Sequence, residues 1–234
     1  KLIDKCTTKY LNNNIKVFQE RFLEACSKSS RQPSDVLIIA VSKKKESSII
    51  RNVYESGFEN FGENFAQELA KKSEELKDLH IIWHFIGPIQ SNKVNLVAAN
   101  ANWVHSIDRE KIISKLNSAC KEIDKVMNVC IQVNIDNEGT KSGIHPDNLL
   151  EFSNILKDYP NLKLKGMMVL PKLCDDLLHN EKVMRKCFAL HANLKLVHPD
   201  ANILSMGTTS DFESAIKCGS SMIRVGESIF GKRL

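Results

Sequence analysis

The apolar run Val36-Leu37-Ile38-Ile39-Ala40-Val41-Ser42 ends on Lys43. An ε-amine held where a strand stops is suited to attack an aldehyde and form a Schiff base. Strand C-termini are also where α/β proteins keep their ligands. The competing reading is a solvated basic turn, Lys43-Lys44-Lys45, with no chemistry. A second group, Ser205-Met206-Gly207-Thr208-Thr209-Ser210, places hydroxyls and a glycine before a predicted helix start, the pattern of an anion site. Ser210 and Glu213 also fit a Ser-x-x-Glu capping box, which would explain the same residues as a plain helix cap. Arg224 interrupts the apolar strand Met222–Val225, and a buried guanidinium is costly unless bonded. It reads either as an ion pair with Glu227 or Glu63, or as a fixed donor to a ligand's ring nitrogen or phosphate. His84, between Trp83 and Phe85, reads as a satisfied core histidine.

These residues need a scaffold, and the hydrophobic pattern supplies one. A first helix is predicted over about 8–29, then a strand over 36–43 and a helix over 46–56 that stops before Gly57. The alternation continues with strands at 59–62, 81–86, 103–107, 129–135, 164–170, 202–206 and 222–225. Helices separate them at 64–77, 91–99, 109–124, 146–158, 180–197 and 211–218. Eight near-continuous apolar strands alternating with helices predict a single (β/α)8 TIM barrel over 1–234 with an extra N-terminal helix. A doubly wound open sheet would carry a Gly-x-Gly-x-x-Gly turn after its first strand, where this chain has Lys43-Lys44-Lys45-Glu46. In a barrel, Lys43, Asn64, the 205–210 segment and Arg224 to Ser228 all fall at strand ends on one rim.

Composition narrows the function. The net charge of +5 favours an anionic ligand, but the lysines are spread along helices without interleaved aromatics, so nucleic-acid binding is not expected. No apolar run has the length of a membrane span and no signal-peptide pattern appears. The seven cysteines are odd in number and scattered, without Cys-x-x-Cys or zinc spacing, so no metal site is expected and the compartment reads as reducing. Cytoplasmic location is the expectation. A mitochondrial one stays open because the chain begins at Lys1 without a methionine.

Several segments together resemble the YggS/PROSC family of pyridoxal phosphate homeostasis proteins. They are Ala40-Val41-Ser42-Lys43, Gly62-Glu63-Asn64-Phe65-Ala66-Gln67-Glu68 and Trp83-His84-Phe85-Ile86-Gly87-Pro88-Ile89-Gln90-Ser91-Asn92-Lys93. Asn134-Ile135 through Lys141-Ser142-Gly143, Gly166-Met167-Met168, Ser205-Met206-Gly207, Arg224-Val225-Gly226 and Ile229-Phe230-Gly231 follow in order. The resemblance implies an alanine racemase N-terminal-domain-like barrel that carries pyridoxal 5'-phosphate (PLP) on Lys43 as a Schiff base. It also implies a phosphate loop formed by Ser205, Gly207, Thr208 and Thr209, with Gly226 beside the phosphate. Arg224 would stand at the pyridine nitrogen and Asn64 would face the cofactor. Where family members commonly read Ser-Met-Gly-Met-Ser-Asp-Asp, this chain reads Ser205-Met206-Gly207-Thr208-Thr209-Ser210-Asp211. The side-chain donor to phosphate therefore stays open among Thr208, Thr209 and Ser210.

Two function classes follow: a PLP carrier or buffer in vitamin B6 and amino-acid homeostasis, and a weakly active PLP-dependent racemase-like enzyme. The carrier is the expectation, with no catalytic residue assigned, for three reasons. The chain's end at Leu234 leaves no second domain to supply an acid/base group to the far face of the cofactor. An arginine at the pyridine nitrogen disfavours protonation of the ring by like charge. An uncovered cofactor exchanges easily but excludes water poorly. Transient PLP-dependent apoenzyme clients are the expected partners, and the chain itself is expected to be a monomer or weak homodimer.

Overall fold

Alternating apolar strands and amphipathic helices can bury both faces of a parallel sheet only by wrapping helices around it. The computed structural model describes residues 4–136, 139 and 141–232. The rest of the expected 1–234 domain lies outside the described residues, including three positions in the loop from Asn134 to Ser142. Strands β1 Leu37–Val41, β2 Asn60–Glu63, β3 Ile82–Phe85, β4 Trp103–Ile107, β5 Met127–Val133, β6 Leu162–Val169, β7 Ile203–Ser205 and β8 Met222–Val225 close into one parallel barrel in chain order. Closure comes from β1 on β8, which sets Ile39 beside Arg224.

The helices are α1 Lys5–Lys28, α2 Ser47–Glu55, α3 Ala66–Glu75, α4 Val94–Asn100, α5 Glu110–Glu122, α6 Leu149–Ile155, α7 Leu177–Val197, α8 Phe212–Lys217 and α9 Glu227–Phe230. The extra helix α1 starts where the Asp4 carboxylate accepts the Thr7 N–H at 2.8 Å, a standard N-cap. Its buried face, Leu11, Ile15, Phe18 and Phe22, lies against α8 and α9, with Phe18 edge-on to Phe212 at 5.3 Å. No helix of the described residues is long and apolar enough to cross a membrane.

Most predicted elements appear within two or three residues of their expected limits, and the shifts have local causes. Helix α7 begins at Leu177 rather than 180 because the Asp176 carboxylate accepts the N–H groups of Leu178 and His179. Strand β5 stops at Val133 because the Asn134 N–H leaves the ladder for the Ile144 carbonyl. The four-residue α9 was not expected. The predicted capping box on α8 does not form. Asp211, not Ser210, precedes that helix and its carboxylate accepts from Thr208, while Glu213 turns outward to Arg21 at 2.8 Å.

Candidate functional site

At the C-terminal rim of the barrel a cavity of about 660 Å³ opens, within the range of small-molecule sites. Val41 at the end of β1 and Lys43, Lys44 and Lys45 after it line it, with Asn64 after β2 and Ile86 after β3. Leu170 after β6, Thr208, Thr209 and Ser210 after β7, and Arg224, Gly226, Glu227 and Gly231 around the end of β8 complete the wall. Four cations against one carboxylate make the wall electropositive, which suits an anion. A larger groove, about 790 Å³, runs along α2 and α3 outside the barrel mouth. Several of its charges are already paired, Arg51 with Asp78, Lys71 with Glu75 and Lys72 with Glu68, so it reads as a solvated crease.

The turn that presents Lys43 is clamped on both sides. Below it, Ser42 is fully buried: its N–H donates to the Gly62 carbonyl, its hydroxyl donates to Glu63 at 2.9 Å, and its carbonyl accepts from the Lys72 ammonium at 2.8 Å. Above it, Lys44 has a φ of +61°, a left-handed conformation that costs a non-glycine residue about 1 kcal/mol or more. The Glu68 carboxylate holds that conformation by accepting the Lys44 N–H at 2.8 Å. Lys72, itself buried, joins the two carboxylates, 2.5 Å from Glu63 and 2.8 Å from Glu68. The second Glu63 oxygen is buried without a partner, and burial pushes its carboxyl up to about 7 against the pull of Lys72 and Ser42. Lys72 is thus fully engaged, whereas the half-buried Lys43 has no hydrogen-bonded or carboxylate partner among the described residues.

On the opposite wall, Thr208 spends both its N–H and its hydroxyl on Asp211, at 2.6 and 3.0 Å. Thr209 differs. Its hydroxyl oxygen accepts the Ser228 N–H at 3.4 Å, stitching the β7 and β8 loops together and leaving its own proton for a ligand. Gly207 has a φ of +107°, and a Cβ there would stand 2.6 Å from the Ala215 methyl. Its glycine is thus required by strand-to-helix packing rather than by approach to a ligand. Arg224 is 3% exposed and donates to the Ser205 hydroxyl at 2.6 Å and the Val169 carbonyl at 3.0 Å. Neither Glu227 nor Glu63 pairs with it, so the ion-pair reading is set aside. Burial pulls the guanidinium down to about 10, which leaves it charged at neutral pH.

Of the residues singled out in the sequence, Lys43, Asn64, Thr208, Thr209, Arg224 and Gly226 share the cavity wall. Ser205 and Gly207 do not. Ser205 is fully buried behind Arg224, and Gly207 lies under α8. The sequence reading missed the Glu63–Lys72–Glu68 clamp. Its signal was a lysine at the core-facing spacing of α3, between Leu69 and Leu76. Also missed was His105 on β4, fully buried and bonded to His84.

The cavity also offers observations that a pyridoxal phosphate group would satisfy. The Asn64 Oδ1 is buried without a partner in the cavity wall, and Arg224 is a buried cation that forms no salt bridge among the described residues, with Asp211 acting on it only at longer range. Thr209 offers a spare hydroxyl proton beside an electropositive wall, as a phosphate requires.

The family model "Alanine racemase, N-terminal domain" matches residues 12–233. A relative from Haemophilus influenzae, named pyridoxal phosphate homeostasis protein, is 40% identical over 227 residues, 95% of this chain and 96% of that protein. PipY of Synechococcus elongatus PCC7942, solved with PLP bound, superposes with a TM-score of 0.79 at 30% identity, over 90% of this chain and 100% of that one. The alanine racemase of Clostridium difficile 630 shares the fold, with a TM-score of 0.77 at 13% identity, over 99% of this chain and 58% of the racemase. The chain belongs to the alanine racemase N-terminal-domain family and, within it, to the pyridoxal phosphate homeostasis proteins.

Proposed function

We propose that this chain binds PLP in the barrel mouth as a Schiff base on Lys43 and acts in intracellular PLP and amino-acid homeostasis as a carrier or buffer. The observation that carries the reading is the unpartnered Lys43 amine lining the same cavity as Asn64, Thr209, Arg224 and Gly226. Bound PLP supplies an aldehyde for imine formation and a ring able to withdraw electrons from an attached amine. The rest of the reading concerns this chain's own groups. The clamped Ser42–Lys45 turn aims the amine into the cavity. Thr209 and the N–H groups of the β7 and β8 loops would hold the phosphate, with Lys44 and Lys45 adding charge. Asn64 would offer its free carbonyl oxygen, and Arg224 would donate to the ring nitrogen.

Two features favour carriage over turnover. Arg224 is a charged donor, so it disfavours a proton on the pyridine nitrogen and weakens carbanion chemistry. None of the three tyrosines lines the cavity, and Thr208, Thr209 and Lys43 are each only half-buried, so the site is open to exchange with solvent and with client apoenzymes. The racemase reading keeps one observation in its favour, the shared fold.

The test is an absorbance spectrum of purified protein mixed with PLP, beside Lys43→Ala. The wild type develops a yellow band that borohydride bleaches, and the variant does not. A bleachable band that survives in Lys43→Ala would overturn the lysine assignment. Alanine racemisation by wild type at about 1 per second or faster would overturn the carrier reading.

A further inference from the structure

A chain of hydrogen bonds crosses the barrel interior beneath the cavity. Arg224 Nη1 on β8 donates to Ser205 Oγ on β7 at 2.6 Å. Ser205 Oγ lies 3.0 Å from His105 Nδ1 on β4, and His105 Nε2 lies 2.9 Å from His84 Nδ1 on β3. His84 Nε2 then meets Asn60 Oδ1 at 2.8 Å, at the N-terminal start of β2. Ser205, His105 and His84 are fully buried, away from bulk water.

The direction of the chain is fixed from both ends. A guanidinium has no lone pair and can only donate. Ser205 therefore accepts from Arg224, and its own proton needs an acceptor in a site without solvent, which His105 Nδ1 provides. An imidazole that accepts at Nδ1 and is kept neutral by burial must carry its proton at Nε2, so His105 donates to His84 Nδ1. The same rule makes His84 donate from Nε2, and the Asn60 carbonyl oxygen is a pure acceptor. Burial holds both rings neutral, His84 down to about 3 and His105 well below its ordinary range. Ser205, His105 and His84 then each have one donor and one acceptor in use, between the donor Arg224 at one end and the acceptor Asn60 at the other.

We propose that Asn60, His84, His105 and Ser205 form a one-way relay that positions Arg224 as a donor on the cavity wall, so that a residue at the far rim of the barrel tunes how the ligand is held. Its ligand half rests on the PLP reading above. These are positioning residues, since Arg224 alone among them lines the cavity. Two Arg224 N–H groups are tied down, to Ser205 and Val169, which fixes the guanidinium plane and leaves its other N–H groups for the ligand.

Two measurements test it. In ligand-free wild type, long-range ¹H–¹⁵N correlation of the imidazoles should place His84 and His105 in the Nε2–H tautomer, with neither ring titrating between about pH 5.5 and 8. An Nδ1–H tautomer at either ring, or titration in that window, overturns the relay. In the second measurement Asn60→Ala, a change at a half-buried site far from the cavity, should disturb both tautomers and weaken PLP binding about two- to tenfold, the equivalent of one hydrogen bond. Asn60→Asp keeps a terminal acceptor and should restore tautomers and binding. An Asn60→Ala protein with wild-type tautomers, PLP affinity and spectrum overturns the positioning role. Wild-type protein that takes up no PLP overturns the cofactor reading instead, and the ligand-free tautomers still decide the relay.

Discussion

Among the three hydroxyls after β7, Thr209 alone has a bonding pattern that spares its proton for a ligand while fixing its oxygen on the Ser228 N–H. Thr208 is committed to Asp211, and Ser210 is exposed. Thr209→Ala is therefore expected to weaken PLP retention by roughly ten- to a hundredfold, the loss of one hydrogen bond to a charged group, while the Lys43 adduct still forms. Equilibrium dialysis measures this, and an unchanged dissociation constant would move the phosphate role to a neighbour. Individual side chains were legible in the sequence where an anomaly marked them. A lysine at the end of an apolar strand and an arginine inside another stand out on inspection, and both reach the cavity. Ser205 was also singled out, but which way a serine points on a short strand depends on the barrel's register, and it points inward, to Arg224 and His105.

The β1–α2 turn shows how an element is held in a conformation its own residues do not favour. Lys44 stays left-handed because α3 brings Glu68 to its N–H, and Lys72 one turn further ties Glu68 to Glu63 and Ser42. Removing one partner of a buried ion pair leaves the other uncompensated. Lys72→Met is thus expected to lower the unfolding free energy by about 3–5 kcal/mol, with Glu63→Gln in the same chain recovering part of the loss. Urea unfolding of the single and double variants measures this, and a loss under about 1 kcal/mol for Lys72→Met would mean the pair behaves as a surface bridge. Strands and helices were readable from periodicity because both sheet faces are covered. Their ends were not, since they depend on tertiary partners. The capping-box pattern at Ser210 and Glu213 shows this, with Glu213 drawn away to Arg21 of α1, a helix 192 residues distant in the chain.

For the whole molecule, the price of a polar barrel interior is sensitivity to acid. His84 and His105 titrate well below their unfolded value of 6.5, so the stability they contribute is complete above that pH and is lost as pH falls. Glu63 acts in the opposite sense. Raised to about 7 from 4.5, it keeps a proton in the folded state that the unfolded chain releases, so its contribution is greatest at low pH and is lost as pH rises toward 7. Between about pH 5 and 6, two histidine protons favour unfolding and one glutamate proton opposes it. Glu63→Gln should therefore steepen the loss of stability on acidification by about one proton, or roughly 1.4 kcal/mol per pH unit. Unfolding midpoints at pH 5, 6 and 7 test this, and parallel curves for variant and wild type would contradict it. The barrel itself was legible from eight apolar runs. The polar chain through its centre was not, because Asn60, His84, His105, Ser205 and Arg224 meet only once the sheet closes.

The central claim is chemical: one amine, at the end of β1, captures the cofactor. Borohydride reduction of the PLP-loaded protein followed by proteolysis and mass spectrometry tests it most directly. A phosphopyridoxyl group is expected on the peptide containing Lys43, localised by fragmentation to that residue. A group localised to Lys44, Lys45 or any other lysine, with Lys43 unmodified, would contradict it.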